Sequence, residues 1–274
     1  MRLATIRTPG GTKAVRVDGE AAVETGHRDI GALLNEADWR AVAAAARGPA
    51  HNTIEVDYAP LVLRPGKIIC VGINYRSHLE EMCRELPAHP TLFAKYAEAL
   101  IGARDPIVLP ACSEAVDWEA ELAVVIGATV RGADEAVAAT AIAGYTVIND
   151  VTARDWQYRT LQWLQGKTFE GTTPIGPHLV TSDEAGDDLA LCCLVDGEVV
   201  QTARTADLVF GPATTVAYVS TILTLRPGDV VALGTPGGVG HARTPQRYLQ
   251  AGQILTTTIE GIGECRNVCV AESR

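Results

Sequence analysis

The chain lacks the long apolar runs and the clustered basic residues of membrane and nucleic-acid-binding proteins. Its longest strongly apolar runs, Leu122–Ile126 and Ala41–Ala46, are far too short to span a bilayer. The residues after Met1 contain no signal-peptide hydrophobic region. Lysine and arginine form no cluster, and the formal net charge is −10 at pH 7, so a basic face for phosphate contacts is missing. We therefore expect a cytoplasmic protein that binds neither a membrane nor a nucleic acid.

The cysteines lack the spacing of a disulfide framework or of a zinc site. Cys265 and Cys269 have no second cysteine pair to complete a tetrahedral site. The total is odd, and several members lie in apolar, strand-like runs: Cys70, Cys83, Cys112, Cys192, Cys193, Cys265 and Cys269. We interpret them as buried free thiols in a reducing compartment.

The sequence also lacks the regular strand–helix alternation that a doubly wound parallel sheet requires. Short β-like runs dominate after residue 60, and Asp196-Gly197 between two of them is a two-residue hairpin signal. Helical patterns are few and cover residues 29–47, 134–143 and 213–223. We predict an α+β fold that is mainly β, with a mixed β core and peripheral helices.

The first 60 residues differ in pattern from the rest. Gly10-Gly11 separates two β-like runs and predicts a hairpin, and an alanine-rich helical stretch follows. Ala59-Pro60 and Arg64–Gly66 then interrupt the chain. We predict a small N-terminal domain over residues 1–60 and a larger domain over residues 61–274.

Three acidic residues stand at the ends of apolar runs. Glu119 and Glu121 are two positions apart, so their side chains project from the same face of a strand. They repel each other, and the pKa of one rises unless a cation lies between them. Asp150 ends the run Tyr145–Ile148, and three carboxylates suit a hard ion such as Mg²⁺, Mn²⁺ or Ca²⁺. The alternatives are a solvated strand end for the glutamates and a helix cap for Asp150.

His78, Glu81 and Lys167 are candidates for proton transfer and charge stabilisation. On a helix over residues 77–83, His78 and Glu81 are neighbours on one face, and the carboxylate holds the imidazole as a base for water. The alternative is a surface ion pair. Lys167 is one of only four lysines, and its compact ammonium suits an oxyanion. The alternative is an exposed lysine without a role.

The glycine-rich segment Leu233–Gly240 follows a strand-like run. It lacks the Gly-Lys-Ser/Thr of a phosphate loop and the spacing of a dinucleotide motif. Its glycines instead indicate close approach of the backbone to a small ligand.

Taken in order, these segments resemble the fumarylacetoacetate hydrolase superfamily. The resemblance runs from about residue 60 to the end, on motifs at Val71–Glu81, Asp117–Gly127, Asn149–Gln157, Gly166–Phe169, Pro227–Gly240 and Glu260–Asn267. It implies a mixed β-sandwich or β-roll with a small N-terminal domain, usually as a homodimer. Glu170 stands where the family often has aspartate. Arg204 stands near a frequent asparagine, either as an exposed strand residue or as a ligand for a second substrate carboxylate.

The resemblance also implies roles for individual residues. Glu119, Glu121 and Asp150 would bind Mg²⁺ or Mn²⁺, with Ca²⁺ as a non-physiological occupant. His78 and Glu81 would activate water on a lid helix, and Lys167 would stabilise the developing oxyanion. The substrate's carboxylate and oxo groups would be held by Arg154, Gln157 and Thr235.

The implied function is hydrolysis of a C–C bond in a small 1,3-diketo or 2-oxo acid of the acylpyruvate or fumarylpyruvate type. The metal polarises the oxo group and stabilises the enolate, and water activated by His78 attacks the distal carbonyl. Two alternatives stay open. One is an isomerase or decarboxylase of a 2-hydroxy-hepta-diene-dioate-type acid at the same metal site. The other is a non-catalytic metal-binding protein of this fold.

Overall fold

A computed structural model describes residues 1–81 and 85–273, without the side chains at positions 78, 80 and 81. The strands are β1 (Arg2–Thr8), β2 (Gly11–Asp18), β3 (Ala21–Glu24), β4 (Ala50–Asn52), β5 (Asp57–Tyr58), β6 (Ile68–Gly72), β7 (Thr91–Lys95), β8 (Leu100–Ile101), β9 (Ile107–Leu109), β10 (Val116–Asp117), β11 (Ala120–Ile126), β12 (Ile142–Asn149), β13 (Thr152–Ala153), β14 (Thr173–Thr181), β15 (Ala190–Val195), β16 (Glu198–Arg204), β17 (Val230–Ala232), β18 (Ile254–Ile259) and β19 (Gly263–Ala271).

The α-helices are α1 (Ile30–Leu34), α2 (Trp39–Ala44), α3 (Arg76–Glu81), α4 (Glu135–Thr140), α5 (Arg154–Gln157), α6 (Leu164–Lys167) and α7 (Pro212–Ile222). Short 3₁₀ turns cover Ala97–Ala99, Thr205–Asp207 and Gly240–Ala242. In the part of the chain described, no helix is both long and apolar enough to cross a membrane.

Most of the described strands belong to one large mixed sheet. Its order is β4-β3-β2-β1-β14-β12-β11-β17-β6-β7, with β5 beside β1 and β8 beside β14. A second sheet has the order β16-β15-β18-β19-β9. Within the large sheet, β17 pairs antiparallel with β11 and parallel with β6. The predicted α+β, mainly β fold with a mixed β core is confirmed.

The large sheet is covered on both faces, which is why β11 is buried at every position. Alternate residues of β11 point to opposite faces. Leu122, Val124 and Ile126 join the core shared with the five-stranded sheet, whereas Ala123 and Val125 join the core beneath α1 and α2. Burial of each large aliphatic side chain contributes on the order of 2 kcal/mol. Glu121 on β11, and Glu119 directly before the strand, are therefore attached to a tightly packed strand.

The N-terminal strands extend the large sheet. The predicted hairpin is present, with Thr8 opposite Gly11, and β1 also pairs with β14 through Arg2 and Val180. The predicted helical stretch forms α1 and α2, and α1 begins where the Asp29 carboxylate accepts a hydrogen bond from the Ala32 amide. The division of the chain at residue 60 stays a prediction.

Two other local predictions had different outcomes. The hairpin at Asp196-Gly197 is confirmed, with φ of +52° and +84° at these residues and Val195 opposite Glu198. The helix predicted over residues 134–143 was wrong at its end. It stops at Thr140 because the following apolar residues join β12 beside β11.

The cysteine prediction holds for four of the residues described. Cys70, Cys193, Cys265 and Cys269 are buried free thiols. Cys112 is exposed and Cys192 is half-buried, so burial was wrong for the first and incomplete for the second. Cys83 lies outside the described residues.

Candidate active site

The register between β11 and β12 brings three carboxylates together. Ala120 lies opposite Asn149, and the Asp150 amide donates to the Glu119 carbonyl oxygen at 2.8 Å. Residues opposite each other in an antiparallel pair point to the same face, and so do residues two apart on one strand. Glu119, Glu121 and Asp150 therefore share one face, and each offers an oxygen within 4.8 Å of the others.

These carboxylates are buried, with relative exposures of 7% for Glu119, 1% for Glu121 and 0% for Asp150. Burial and the charges of Asp150 and Glu119 raise the pKa of Glu121 well above its ordinary value. The Gly234 amide donates to Glu121 Oε2 at 2.8 Å and opposes this rise. The solvated strand end is thus ruled out for these glutamates, and the cluster has excess negative charge.

Two buried lysines contact the carboxylates. Lys167, at the end of α6, places Nζ 2.8 Å from both Glu119 Oε2 and Asp150 Oδ2. Burial lowers the pKa of Lys167, but Asp150 and Glu119 outweigh it and hold the pKa above its ordinary value. Lys95, at the end of β7, places Nζ 2.6 Å from Asp150 Oδ1. Asp150 therefore pairs with lysines and does not cap α5, and Lys167 is no exposed lysine.

Arg154 connects the carboxylates to a further acidic residue. Its guanidinium contacts Asp117 Oδ2 at 2.8 Å and Glu119 Oε1 at 2.7 Å. It also donates to Gln157 Oε1 at 3.0 Å, one turn further along α5. Asp117 in addition accepts backbone N–H groups of Gly240 at 2.7 Å and His241 at 3.0 Å. The guanidinium is thus held in a fixed position by charge-assisted hydrogen bonds.

The glycine-rich loop after β17 closes over the start of β11. Thr235 donates from Oγ1 to the Ala120 carbonyl at 2.9 Å and accepts from Gln201 Nε2 at 2.8 Å. Gly234 has φ of +87°, and a Cβ there would lie 2.7 Å from the Val71 carbonyl oxygen. Only glycine fits this position, and it allows the amide to reach Glu121.

A cavity of about 210 Å³ opens over this cluster. Its polar lining includes Glu119, Arg154, Gln157, Lys167, Thr235 and His241. Phe93, Tyr158 and Trp163 contribute aromatic surface. Ligand sites of drug-sized molecules occupy roughly 300–1,000 Å³. The volume therefore suits a small molecule, and the aromatic lining suits a partly planar one.

The structure brings seven of the predicted site residues into one place, namely Glu119, Glu121, Asp150, Lys167, Arg154, Gln157 and Thr235. His78 and Glu81 lie on α3, and their side chains are outside the described part of the chain. The predicted dyad therefore stays a prediction.

Residues without a predicted role in the site divide into surface and site positions. Arg204 is exposed, and its Nε lies 2.6 Å from Asp188 Oδ2. Of the two alternatives for Arg204, the structure therefore agrees with an exposed strand residue. Glu170 is exposed as well. Sequence reasoning missed Lys95, Asp117 and His241 as site residues. For Lys95 the available signal was its rarity, since a lysine inside an apolar strand needs a buried partner.

The donor set fits a hard divalent ion. Three carboxylates with oxygens in mutual reach are the ligands that Mg²⁺ and Mn²⁺ prefer, with water completing the shell. Burial and the charges of Asp150 and Glu119 outweigh Lys167 and raise the pKa of Glu121, and a cation bound between the carboxylates would lower it. Lys167 contacts two of the same carboxylates, so a bound ion would share them with an ammonium group.

Comparison with known proteins gives consistent matches. The family described as fumarylacetoacetate (FAA) hydrolase C-terminal matches residues 67–270. The human protein "Oxaloacetate tautomerase FAHD2A, mitochondrial" is 44% identical over 232 residues, covering 83% of this chain and 74% of the relative. The crystal structure of 5-carboxymethyl-2-hydroxymuconate delta-isomerase from Mycobacterium smegmatis has a TM-score of 0.84 at 34% identity, covering 100% of both chains. Fumarylacetoacetate hydrolase from psychrophilic Exiguobacterium antarcticum has a TM-score of 0.90 at 32% identity, covering 99% of this chain and 100% of that one.

Proposed function

The chain belongs to the fumarylacetoacetate hydrolase family, and we propose that it is a divalent-metal-dependent tautomerase or isomerase of a small 2-oxo dicarboxylic acid. The reaction moves a proton between the carbon beside the oxo group and the oxo oxygen. A relative named as an oxaloacetate tautomerase and one named as a delta-isomerase support this choice. The C–C hydrolase predicted first has weaker support than this alternative, since it rests on the relative named as a hydrolase.

The observation that carries the proposal is the charge pattern beneath the cavity. Among the described residues, four carboxylates (Asp117, Glu119, Glu121 and Asp150) face three cations (Lys95, Arg154 and Lys167). With all four carboxylates ionised, one negative charge is left unbalanced, and a divalent ion that holds Glu121 in its ionised form would give the cluster a net positive charge. A positively charged cluster beneath a small cavity would attract the carboxylates of a short 2-oxo diacid.

Glu119, Glu121 and Asp150 would hold the ion, which when bound acts as a Lewis acid on the oxo group. Lys167 lies beside them as a buried, permanently charged ammonium, and it stabilises negative charge on the substrate oxygen. Arg154 and Gln157 line the cavity from α5 and orient a carboxylate, with Thr235 on the opposite loop. These groups keep fixed positions because each has partners in the surrounding structure.

Tautomerisation and hydrolysis need different groups. Hydrolysis needs an activated water, the task assigned to His78 and Glu81. Tautomerisation needs no water at the reacting carbon, only a proton carrier and a stabilised oxyanion. The volume of about 210 Å³ also favours a short diacid over a long acyl chain.

The test is to strip the full-length protein with a chelator and follow two reactions by absorbance. One is enol–keto conversion of oxaloacetate, and the other is cleavage of an acylpyruvate. Mg²⁺ or Mn²⁺ is then added back to wild type, to Glu121→Gln and to Glu135→Gln, a control on the exposed side of α4. We expect metal to restore enol–keto conversion in wild type and the control, and a loss of at least about 100-fold in Glu121→Gln.

Faster cleavage of acylpyruvate than conversion of oxaloacetate would return the assignment to the hydrolase. Equal activity with and without metal would refute the assignment of the three carboxylates.

A further inference from the structure

A histidine outside the recognised motif positions lines the cavity. His241 lies in the 3₁₀ turn Gly240–Ala242, directly after the glycine-rich loop. Its backbone N–H donates to Asp117, the same carboxylate that holds Arg154. Its ring packs at a tilt against Tyr158, with 5.2 Å between the centroids. The imidazole is therefore fixed relative to the substrate-facing guanidinium.

The hydrogen bonds around His241 involve its ring Nδ1 and its backbone carbonyl oxygen. Gln246 donates from Nε2 to the His241 carbonyl oxygen at 3.2 Å, and a carbonyl can only accept. The amide oxygen of Gln246 then accepts from the Tyr248 hydroxyl at 2.9 Å. When the hydroxyl proton points to Gln246, the 2.8 Å contact between Tyr248 and His241 has Nδ1–H as its donor. Nδ1 also lies 3.4 Å from Gln246 Nε2, which donates to Nδ1 only in the other neutral tautomer.

In the tautomer that donates from Nδ1 to Tyr248, the neutral ring has a bare lone pair on Nε2. Nδ1 faces Tyr248 and Gln246, neither of which lines the cavity. Nε2 is thus the ring nitrogen that His241 can present to a ligand. A lone pair at this position accepts a proton, and it disfavours an unprotonated carboxylate as its direct partner.

We propose that His241 is the proton acceptor that serves the substrate carbon in this cavity, an inference that rests on the proposed function. The C–H bond beside the oxo group breaks, and its electron pair forms the C–C double bond. The carbonyl π pair moves to the oxygen, and the proton bonds to Nε2. The imidazolium then returns the proton to that oxygen and yields the enol. The reverse reaction uses the same atoms.

The surroundings of His241 keep the ring neutral near pH 7. Burial lowers its pKa below the ordinary value, Arg154 lowers it further, and Asp117 raises it. Tyr158 and Tyr248 are the other titratable groups packed against the ring. Lys167 lines the same cavity, and its ammonium group stabilises the negatively charged substrate oxygen during the time that His241 holds the proton.

The experiment measures proton transfer directly in the full-length protein with Mg²⁺. Exchange of the C–H protons of oxaloacetate in D₂O is followed by ¹H NMR for wild type, His241→Gln, Tyr248→Phe and the control His51→Gln, which lies outside the cavity lining. General-base catalysis contributes about 10²–10⁴-fold. We expect His241→Gln to lower exchange by at least about 100-fold. Oxalate binding, measured by calorimetry, should change by less than about threefold. Tyr248→Phe should lower exchange by less, and His51→Gln should match wild type.

A second readout does not depend on turnover. ¹⁵N NMR of the imidazole, assigned by comparison with His241→Gln, reports which nitrogen carries the proton. A ring protonated at Nδ1, with an Nε2 signal that moves when oxalate is added, supports the inference.

The results separate the inference from the proposed function. Wild-type exchange that His241→Gln leaves within twofold overturns the role of His241, while the tautomerase stands. If wild type shows no exchange, the proposed tautomerase activity is refuted, and the ¹⁵N NMR result alone decides the role of His241. A ring protonated at Nε2, or an Nε2 signal insensitive to oxalate, then overturns the role of His241 as well.

Discussion

The acid stability of the protein should depend on His178, a mostly buried residue of β14. Its ring packs edge-on against Tyr58, with 5.7 Å between the centroids. Burial lowers the pKa of His178 from 6.5 to about 4, and Arg2 and Arg104 contribute in the same direction. The folded protein therefore keeps this imidazole neutral at pH values where the unfolded chain protonates it.

The sign and size of the effect follow from linkage. The unfolded state binds more protons than the folded state between about pH 6.5 and pH 4, so the free energy of unfolding falls as the pH is lowered through this range. One pKa unit corresponds to about 1.4 kcal/mol. His178 alone should lower the free energy of unfolding, relative to its value at pH 7.5, by about 2 kcal/mol at pH 5 and by about 3 kcal/mol below pH 4.

Urea unfolding at pH 7.5 and pH 5, at one fixed Mg²⁺ concentration, measures this cost for wild type and His178→Gln. Between pH 7.5 and pH 5, the free energy of unfolding of the variant should fall by about 2 kcal/mol less than that of wild type, whatever the stability of the variant at pH 7.5. NMR titration of the His178 ring in wild type should show no protonation above about pH 5. An identical pH dependence in both proteins, or a ring that titrates near pH 6.5, would refute the reasoning.

Two further predictions concern the carboxylate cluster. Lys95→Met leaves Asp150 with one lysine partner, so the free energy of unfolding in urea without metal should fall by about 3 kcal/mol. Saturating Mg²⁺ should recover part of this loss. A loss of stability below about 1 kcal/mol would contradict the pairing. Gly234→Ala should weaken Mg²⁺ binding at least about tenfold by calorimetry, because its Cβ meets the Val71 carbonyl and displaces the amide from Glu121. Gly252→Ala is the matched control, since Gly252 has φ of +90° but open space around it; equal Mg²⁺ affinities in the two variants would contradict the role of the Gly234 amide.

Local sequence patterns predicted individual strands but not their neighbours. The apolar run before Ile126 and the Asp196-Gly197 turn depend on residues close in sequence, and the structure has both. The placement of β17 between β11 and β6 depends on contacts more than 100 residues apart, which periodicity does not encode. The end of α4 was misjudged because Ile142 and Ala143 extend a helical pattern yet pair as a strand.

The candidate site was predictable where motif spacing carried the information. Glu119 and Glu121 follow from the two-residue period of a strand, and Asp150 joins them through the β11–β12 register. Lys95 and His241 were missed because tertiary contacts bring them to the site: Lys95, at the end of β7, reaches Asp150, and His241, after the glycine-rich loop, reaches the cavity. Their chemistry is visible only once their partners, Asp150 and Tyr248, are in place.

The position of β17 in the large sheet also fixes when the site can form during synthesis. β7 and its Lys95 reach Asp150 from the far side of β6, and among the described strands β6 joins the rest of the sheet through β17. The ribosome makes β17 more than 70 residues after Asp150. A nascent chain that has already paired β11 with β12 thus exposes a carboxylate cluster without Lys95 or the Gly234 amide. We therefore expect the cluster to reach its final charge balance only after residue 234 has left the exit tunnel.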